Sequence, residues 1–176
     1  PILFEETTKQ YESYGDIKVY PLAVWNALSV NINSMSRIGQ AYQGYEIARS
    51  ATSPWDILRH PAAQKAREMC KAEETRILKE RPGIDLGKIF VLPIESDYKI
   101  ESILATRLNL VLKGKTCLVI NDKNRRMSAR GILALWLGHR LEHKGISIGG
   151  HPGYSGGELK NGQTSEMVLE AIRGAL

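Results

Sequence analysis

The run from Asn121 to Ser128 combines side chains that bind phosphate with a position directly after an apolar segment. It reads Asn-Asp-Lys-Asn-Arg-Arg-Met-Ser and follows the buried-type residues Thr116 to Ile120. An arginine guanidinium makes paired hydrogen bonds to phosphate, and amide and hydroxyl groups add neutral donors. We predict that Ser128 begins a helix, whose free N–H groups would favour an anion. The predicted phosphate-binding residues are Asn124, Arg125, Arg126 and Ser128.

Three acidic residues, Glu95, Asp97 and Asp122, follow two predicted strands. The carboxyl ends of parallel strands meet at one edge of a sheet, so these side chains are expected close to the arginines. In phosphoester hydrolysis a carboxylate can hold a divalent ion or orient water. The three acids are therefore the predicted catalytic residues, with Mg²⁺ or Mn²⁺ as the cofactor. Ordinary helix capping by Ser96 and Asp97 is the alternative.

A glycine-rich run extends from Gly149 to Gly157. It contains five glycines in nine residues, but it lacks the Lys-Ser or Lys-Thr of a phosphate-binding loop. Glycine permits close approach of the backbone to a ligand. We predict a flexible loop, with His151 and Tyr154 as the side chains that act if the loop is a lid.

The elements that must position these residues alternate between strand and helix. Predicted strands lie at 88–94, 116–120 and 146–148, with helices at about 96–112 and 128–142 between them and a closing helix at 164–176. The strands are apolar without alternation, as expected for strands buried on both faces. The predicted fold class is α/β, with a mixed or parallel sheet covered by helices.

The N-terminal half is predicted to be mainly helical. A short strand at Ile17 to Tyr20 precedes an amphipathic helix from about Ile32 to Tyr45. Ser53 and Pro54 are typical of a capped helix start, and Pro61 to Glu80 forms the next helix. We predict one domain over residues 1–176, with a helical part at 1–85 and the β-α-β-α-β part at 86–176.

Composition excludes several classes of protein. The chain of 176 residues is 43% hydrophobic and 24% charged, which is unlike disordered, collagenous or coiled-coil sequences. No apolar run is long enough for a membrane span, and the residues from Pro1 to Glu6 lack the order of a signal peptide. We expect a cytoplasmic protein without a membrane partner. Cys70 and Cys117 are expected to be reduced and buried.

Positive charge is concentrated in one segment. Residues 113–145 contain eight Lys or Arg and two Asp or Glu, a local charge of +6 within a chain of net charge +5. Such a segment favours binding to nucleotide or nucleic acid. An acidic partner protein is the alternative, since the same charges would dock on it.

Residues 122–129, Asp-Lys-Asn-Arg-Arg-Met-Ser-Ala, resemble the signature of the ParB and sulfiredoxin-like fold, which often reads Asp-Gly-Asn-Arg-Arg, an apolar residue, any residue and Ala. Leu92-Pro93-Ile94 is similar to the strand that precedes the signature. The family includes plasmid fertility-inhibition factors. The resemblance implies binding of nucleoside triphosphates such as ATP, with phosphate held by Asn124, Arg125 and Arg126, and nucleotidase or DNase activity.

Three functions remain open from the sequence. The first is a phosphate-recognising protein that binds nucleotide or nucleic acid, with metal-dependent nucleotidase or nuclease activity as an extension. The second is a non-catalytic inhibitor or interaction protein that docks on an acidic partner. The third is a small-molecule enzyme that uses the glycine-rich run and His151. The sequence does not decide whether the chain is an enzyme.

Overall fold

A computed structural model describes residues 12–14, 17–19 and 22–175 of the chain. The chain divides after Cys70 into two compact units. The single domain divided near residue 85 stays a prediction. Among the described residues, no helix has both the length and the apolar character needed to cross a membrane.

The first unit consists of a strand pair followed by helices. Its elements are the antiparallel strands β1 (Glu12–Tyr14) and β2 (Ile17–Val19), then α1 (Leu22–Arg37), α2 (Ala41–Ser50), α3 (Pro54–Leu58) and the start of α4 (Pro61–Glu80). The predicted strand at Ile17 is confirmed, although Tyr20 lies outside the described residues. The single helix predicted at 32–45 is instead two helices, since Gly39 adopts a φ of +83° between them.

The start of α3 confirms the predicted cap. The carboxylate of Asp56 accepts hydrogen bonds from the backbone N–H groups of Thr52 and Ser53, at 2.9 and 2.8 Å. These bonds, that of Ser53 first, hold the pKa of Asp56 below its ordinary value. The small core of this unit includes Met35 and Ile47, packed against alanines of α4.

The second unit is built on a mixed sheet. After the end of α4 its elements are β3 (Ile84–Leu86), β4 (Ile89–Ile94), α5 (Glu101–Val111), β5 (Thr116–Asn121), β6 (Arg126–Arg130), α6 (Ala134–Glu142), β7 (Ile148–His151), β8 (Tyr154–Glu158) and α7 (Ser165–Arg173). The six strands lie in the order β3-β4-β5-β6-β8-β7. Only β4 and β5 are parallel neighbours, and the other adjacent pairs are antiparallel. The predicted α/β class with a mixed, helix-covered sheet is confirmed.

Helices cover both faces of this sheet. On one face α6 and α7 pack on the main apolar cluster, which includes Leu118, Met127, Leu137 and Ile172. On the other face α5 packs against β5 and β6. Every residue of β5 is buried, in agreement with the apolar run from Cys117 to Ile120 within it. Cys70 and Cys117 are both buried thiols outside any disulfide, as predicted.

The helix predicted to begin at Ser128 is wrong, because Ser128 lies in the middle of strand β6. That strand alternates between the faces of the sheet, with Met127 and Ala129 in the apolar cluster and Arg126 and Ser128 on the opposite face. The predicted basic helix N-terminus is therefore a β-hairpin turn. The helix itself begins later, at Ala134, after Gly131 with a φ of +126°.

The flexible loop predicted at Gly149–Gly157 is also wrong, because this run forms the hairpin of β7 and β8. Glycine is required here for close packing of backbone on backbone. A Cβ atom on Gly150 would lie 2.2 Å from the carbonyl oxygen of Tyr154, and one on Gly157 would lie 2.1 Å from that of Ser147. The glycines thus serve strand approach and not mobility.

Candidate functional site

The turn between β5 and β6, residues 122–125, is held to the start of α7 and to the end of β8. Arg125 adopts a φ of +56°, a conformation that costs a non-glycine residue about 1 kcal/mol or more. Its carbonyl oxygen accepts the N–H of Leu159 at 2.8 Å. Its guanidinium donates to the carbonyl oxygen of Leu159 at 2.6 Å and to the side-chain oxygen of Asn161. Arg125 therefore fixes the turn against the segment after β8.

An open cavity of about 740 Å³ lies beside this turn, and we call it the outer cavity. Its basic lining residues are Lys99, Arg125, Arg126 and Lys160. Asn124 lines it as well, and the buried Nδ2 atom of that side chain has no hydrogen-bond partner among the described residues. A buried donor without a partner costs about 1 to 3 kcal/mol. Three predicted phosphate-binding residues thus share one concavity.

Asn121 positions both walls of the outer cavity. Its Oδ1 accepts the N–H of Ser96 at 3.1 Å and that of Asn124 at 3.4 Å. Its Nδ2 donates to the carbonyl oxygens of Ser96 and Tyr98 and to the carboxylate of Glu101. The side chain is completely buried. Because these bonds join the β5–β6 turn to the loop before α5, they set the position of Lys99 relative to Arg126.

A row of polar side chains continues from the outer cavity along β6 and β8. Arg126 is the cross-strand neighbour of Glu158, and their charged groups are 3.5 Å apart. At the other end, the guanidinium of Arg130 lies over the ring of Tyr154, 3.8 Å from its centre. Burial lowers the pKa of Arg130 from its ordinary value, although the group stays cationic at neutral pH.

Ser128 and Gly156 lie between these two pairs as cross-strand neighbours. The hydroxyl of Ser128 accepts a hydrogen bond from Nη1 of Arg130 at 2.7 Å. Ser128 is therefore in the row predicted to bind phosphate, but its oxygen is already used to orient an arginine.

A second cavity of about 300 Å³ lies over this row, and we call it the inner cavity. It shares Lys99, Arg126 and Glu158 with the outer cavity. Glu101, only 4% exposed, lines it from the first turn of α5. Burial raises the pKa of the Glu101 carboxyl, and the hydrogen bond from Asn121 opposes part of that rise.

The three predicted catalytic acids lie at the carboxyl ends of β4 and β5, each with a partner of its own. Glu95 is 3.6 Å from Arg81, and Asp97 is 2.8 Å from Lys123. Asp122 accepts the N–H of Ser165 at 2.8 Å and its hydroxyl at 2.6 Å. Asp122 therefore stabilises the N-terminus of α7. A catalytic role for the three acids stays a prediction.

The two side chains singled out in the glycine-rich run lie at the β7–β8 hairpin. Tyr154 lines the inner cavity. His151 is exposed next to the turn, and its ring stacks on that of Tyr154 with centres 5.3 Å apart. This arrangement supports the orientation of Tyr154. A lid function for the run stays a prediction that the hairpin pairing does not favour.

Sequence reasoning missed Lys99, Lys160, Glu101 and Glu158 as site residues. Lys160 and Glu158 were missed because β8 is a strand rich in glycine, which strand propensities disfavour. Lys99 and Glu101 belong to the loop and first helical turn after β4. The buried contact of Asn121 with that loop and the packing of α5 on β6 bring them to β6. No sequence pattern indicates such long-range contacts.

The described residues do not assemble a metal centre by themselves. Within residues 12–14, 17–19 and 22–175, no group of three or more His, Cys, Asp or Glu side chains is placed to hold a metal ion. Mg²⁺ is often held by only one or two carboxylates together with water and substrate phosphate. A role for Mg²⁺ or Mn²⁺ therefore stays a prediction.

No protein-family model matches the sequence, and no curated protein matches it. Among solved structures, the chain is similar to RecJ of Thermus thermophilus in complex with Mn²⁺, with a TM-score of 0.60 at 16% identity over 85% of this chain and 24% of that one. RecJ of the same organism in complex with Mg²⁺ gives a TM-score of 0.58 at 16% identity, over 85% of this chain and 25% of that one. A DHH domain from a member of the s1p family of ribosomal proteins gives a TM-score of 0.46 at 13% identity, over 85% of this chain and 51% of that one.

The likeness to RecJ shows a shared fold. The chain spans about a quarter of the length of the RecJ chains it matches. The resemblance to the ParB and sulfiredoxin-like fold is wrong, since the chain shares its fold with RecJ and since residues 122–129 form a turn and a strand where that signature needs a helix start. The expected relation to plasmid factors and the expected binding of ATP rested on that resemblance and have no support.

Proposed function

We propose that the second unit binds nucleotide or nucleic acid by holding phosphate in the outer cavity. The observation that carries this proposal is the convergence of four cationic side chains, Lys99, Arg125, Arg126 and Lys160, on one concavity that Asn124 also lines. Phosphate is an acceptor with negative charge, and charge-assisted hydrogen bonds to it are among the strongest in proteins. Glu158 is the one acidic residue in this lining, and it is paired with Arg126.

The shape of the site supports nucleotide over an acidic protein partner. Protein docking uses broad surfaces of about 800 Å² from each partner, whereas the basic residues here surround a concave space that suits a small group. Only part of the basic segment takes part, since Lys113 lies before the start of β5, at the opposite end of that strand from the turn. An acidic partner would be expected to use that lysine as readily as Arg126.

Titration of a labelled single-stranded oligonucleotide, with inorganic phosphate and free nucleotide as competitors, tests the proposal. We expect saturable binding that both competitors weaken. Lys99→Ala and Lys160→Ala should each reduce affinity several-fold, and the matched control Lys113→Ala, with the same loss of charge, should not. Equal effects of all three lysine variants would mean that general charge, and not the outer cavity, accounts for binding.

Divalent-ion-dependent hydrolysis of phosphoesters is a second candidate function. It is favoured by the RecJ structures of the same fold, which hold Mn²⁺ or Mg²⁺. Among the described residues no group of three or more potential ligands is placed to hold such an ion, so no catalytic step is assigned to them. Incubation of oligonucleotide with the chain, with and without Mn²⁺, separates the two functions: turnover that needs Mn²⁺ supports hydrolysis, and binding without turnover supports a binding unit alone.

If turnover is found, amide variants of the three strand-end acids decide the predicted catalytic role. Glu95→Gln, Asp97→Asn and Asp122→Asn each keep the shape of the side chain and remove its charge. A loss of most of the turnover in at least one folded variant supports that role. Full turnover in all three contradicts it.

A further inference from the structure

The inner cavity differs in chemistry from the outer cavity that it adjoins. The two share Lys99, Arg126 and Glu158, so a ligand whose phosphate lies in the outer cavity extends directly into the inner one. The outer cavity is dominated by cations. The inner cavity balances the shared cations Lys99 and Arg126 with two acids, Glu101 and Glu158, and serine, methionine, tyrosine and glycine complete its lining.

Glu101 makes the inner cavity suited to hydrogen-bond donors. Its Oε1 accepts from Nδ2 of Asn121 at 3.0 Å, and a carboxylate has about four acceptor positions. The carboxylate also accepts from the backbone N–H of its own residue, so about half of its acceptor positions are left for a ligand in the cavity that Glu101 lines. A second phosphate would meet like charge there, whereas a hydroxyl or an amino group would be bound.

Gly156 keeps the inner cavity open. A Cβ atom at this position would lie 3.2 Å from the hydroxyl of Tyr154 and 3.4 Å from the carbonyl oxygen of Met127. A methyl group at residue 156 would therefore occupy space beside the tyrosine hydroxyl without a severe clash with the backbone. The neighbouring Gly157 is different, because its missing side chain makes room for backbone of β7.

From these contacts we infer that the inner cavity binds the nucleoside part of a nucleotide whose phosphate lies in the outer cavity, and that Glu101 selects ligands by accepting a hydrogen bond from a sugar hydroxyl or a base amino group. This inference rests on the proposed phosphate site. It adds an orientation, with the phosphate toward Lys160 and the nucleoside toward Glu101. It also makes Glu101 a specificity-determining residue that contributes little to phosphate affinity.

Calorimetric titration with four small ligands tests the inference. The ligands are inorganic phosphate, adenosine monophosphate, its 2′-deoxy form and inosine monophosphate, which lacks the amino group. We expect adenosine monophosphate to bind more tightly than inorganic phosphate. Loss of the group that faces Glu101 should weaken binding about ten-fold, as for one hydrogen bond to a charged partner. The deoxy form identifies a sugar hydroxyl as that group, and the inosine form identifies the amino group.

Two variants make the test specific. Glu101→Gln keeps the acceptor for Asn121 and should remove most of the discrimination among the three nucleotides while leaving phosphate affinity within about two-fold, since only the charged acceptor is lost. Gly156→Ala instead places a methyl group in the inner cavity and should weaken the binding of the nucleotides but not that of inorganic phosphate. This second variant decides the test if Glu101→Gln does not fold.

The outcomes separate this inference from the proposed function. Equal affinity of inorganic phosphate and all three nucleotides in the wild type overturns the nucleoside site while the phosphate site stands. Discrimination that survives in both variants overturns the role of the inner cavity. If none of the four ligands binds, the phosphate site itself is overturned, and the nucleoside site with it.

Discussion

Replacement of Arg126 by alanine separates ligand binding from stability more clearly than any other single change in the site. The guanidinium lies on the wall common to both cavities and is 43% exposed, with its ion pair to Glu158 at 3.5 Å. Exposed ion pairs contribute less than about 1 kcal/mol to the free energy of unfolding. A charge-assisted hydrogen bond to phosphate contributes about 1.5 to 3 kcal/mol, which corresponds to a roughly 10-fold to 150-fold change in Kd.

We therefore expect Arg126→Ala to raise the Kd for a labelled oligonucleotide at least about ten-fold, while the melting temperature changes little. Fluorescence anisotropy and thermal unfolding measure the two quantities. Arg49→Ala is the matched control, because Arg49 lies on α2 in the first unit and has a comparable surface ion pair, at 2.9 Å from Glu46. Equal Kd values for wild type and Arg126→Ala would refute the assignment of the outer cavity to phosphate.

Four further predictions follow from other contacts. With three or four phosphate contacts, oligonucleotide affinity should fall by roughly 100-fold or more for each ten-fold rise in salt, and an affinity independent of salt in the anisotropy assay would contradict this. Asp122→Asn should lower the free energy of unfolding by about 1 kcal/mol, because the substitution weakens the contact with the N-terminus of α7. Denaturant unfolding measures the change, and Asp97→Asn is the exposed control. Gly150→Ala should cost about 1 to 3 kcal/mol, whereas Gly149→Ala, with nothing within 4 Å of the added Cβ, should be nearly neutral. Burial raises the pKa of Glu101, so the folded state binds the proton more tightly than the unfolded state. The free energy of unfolding should therefore fall as the pH rises from the ordinary pKa of 4.5 to the raised pKa. Unfolding measured across pH tests this, and Glu101→Gln should flatten the pH dependence.

The sequence predicted the parts of the fold where burial and periodicity agree. Strands β4 and β5 and helix α5 were found from unbroken apolar runs and a 3.6-residue period, and Ser53 and Pro54 marked the start of α3. In each case local sequence and tertiary packing favour the same structure.

Strand β6 was missed because two patterns overlap there. Arg126 to Arg130 alternates between polar and small or apolar residues, which is the period of a strand, but Ser128 also resembles a helix cap before the apolar residues of α6. The alternation was the correct indication. Pairing with β5 on one side and β8 on the other decides the outcome, and that pairing depends on contacts far apart in the chain.

The predicted phosphate residues were brought together for a reason other than the one given. Asn124, Arg125 and Arg126 line one cavity because a hairpin turn presents them. Arg125 has a left-handed backbone conformation, and its guanidinium donates a hydrogen bond to the carbonyl oxygen of Leu159. Residue types thus indicated which side chains share a cavity, and phosphate binding there stays a prediction. The structure was needed to show that the two arginines differ in role. Arg125 holds the turn, and Arg126 faces both cavities.

An amide NMR titration of the chain with inorganic phosphate shows whether the outer cavity holds phosphate, because it locates a bound phosphate residue by residue. We expect saturable shift changes concentrated at residues 124–126 and 158–161, where the outer cavity is formed, with little change at Lys113 and Arg140. Saturable changes confined to those two basic residues, or no saturable change at the turn and at the end of β8, would contradict it.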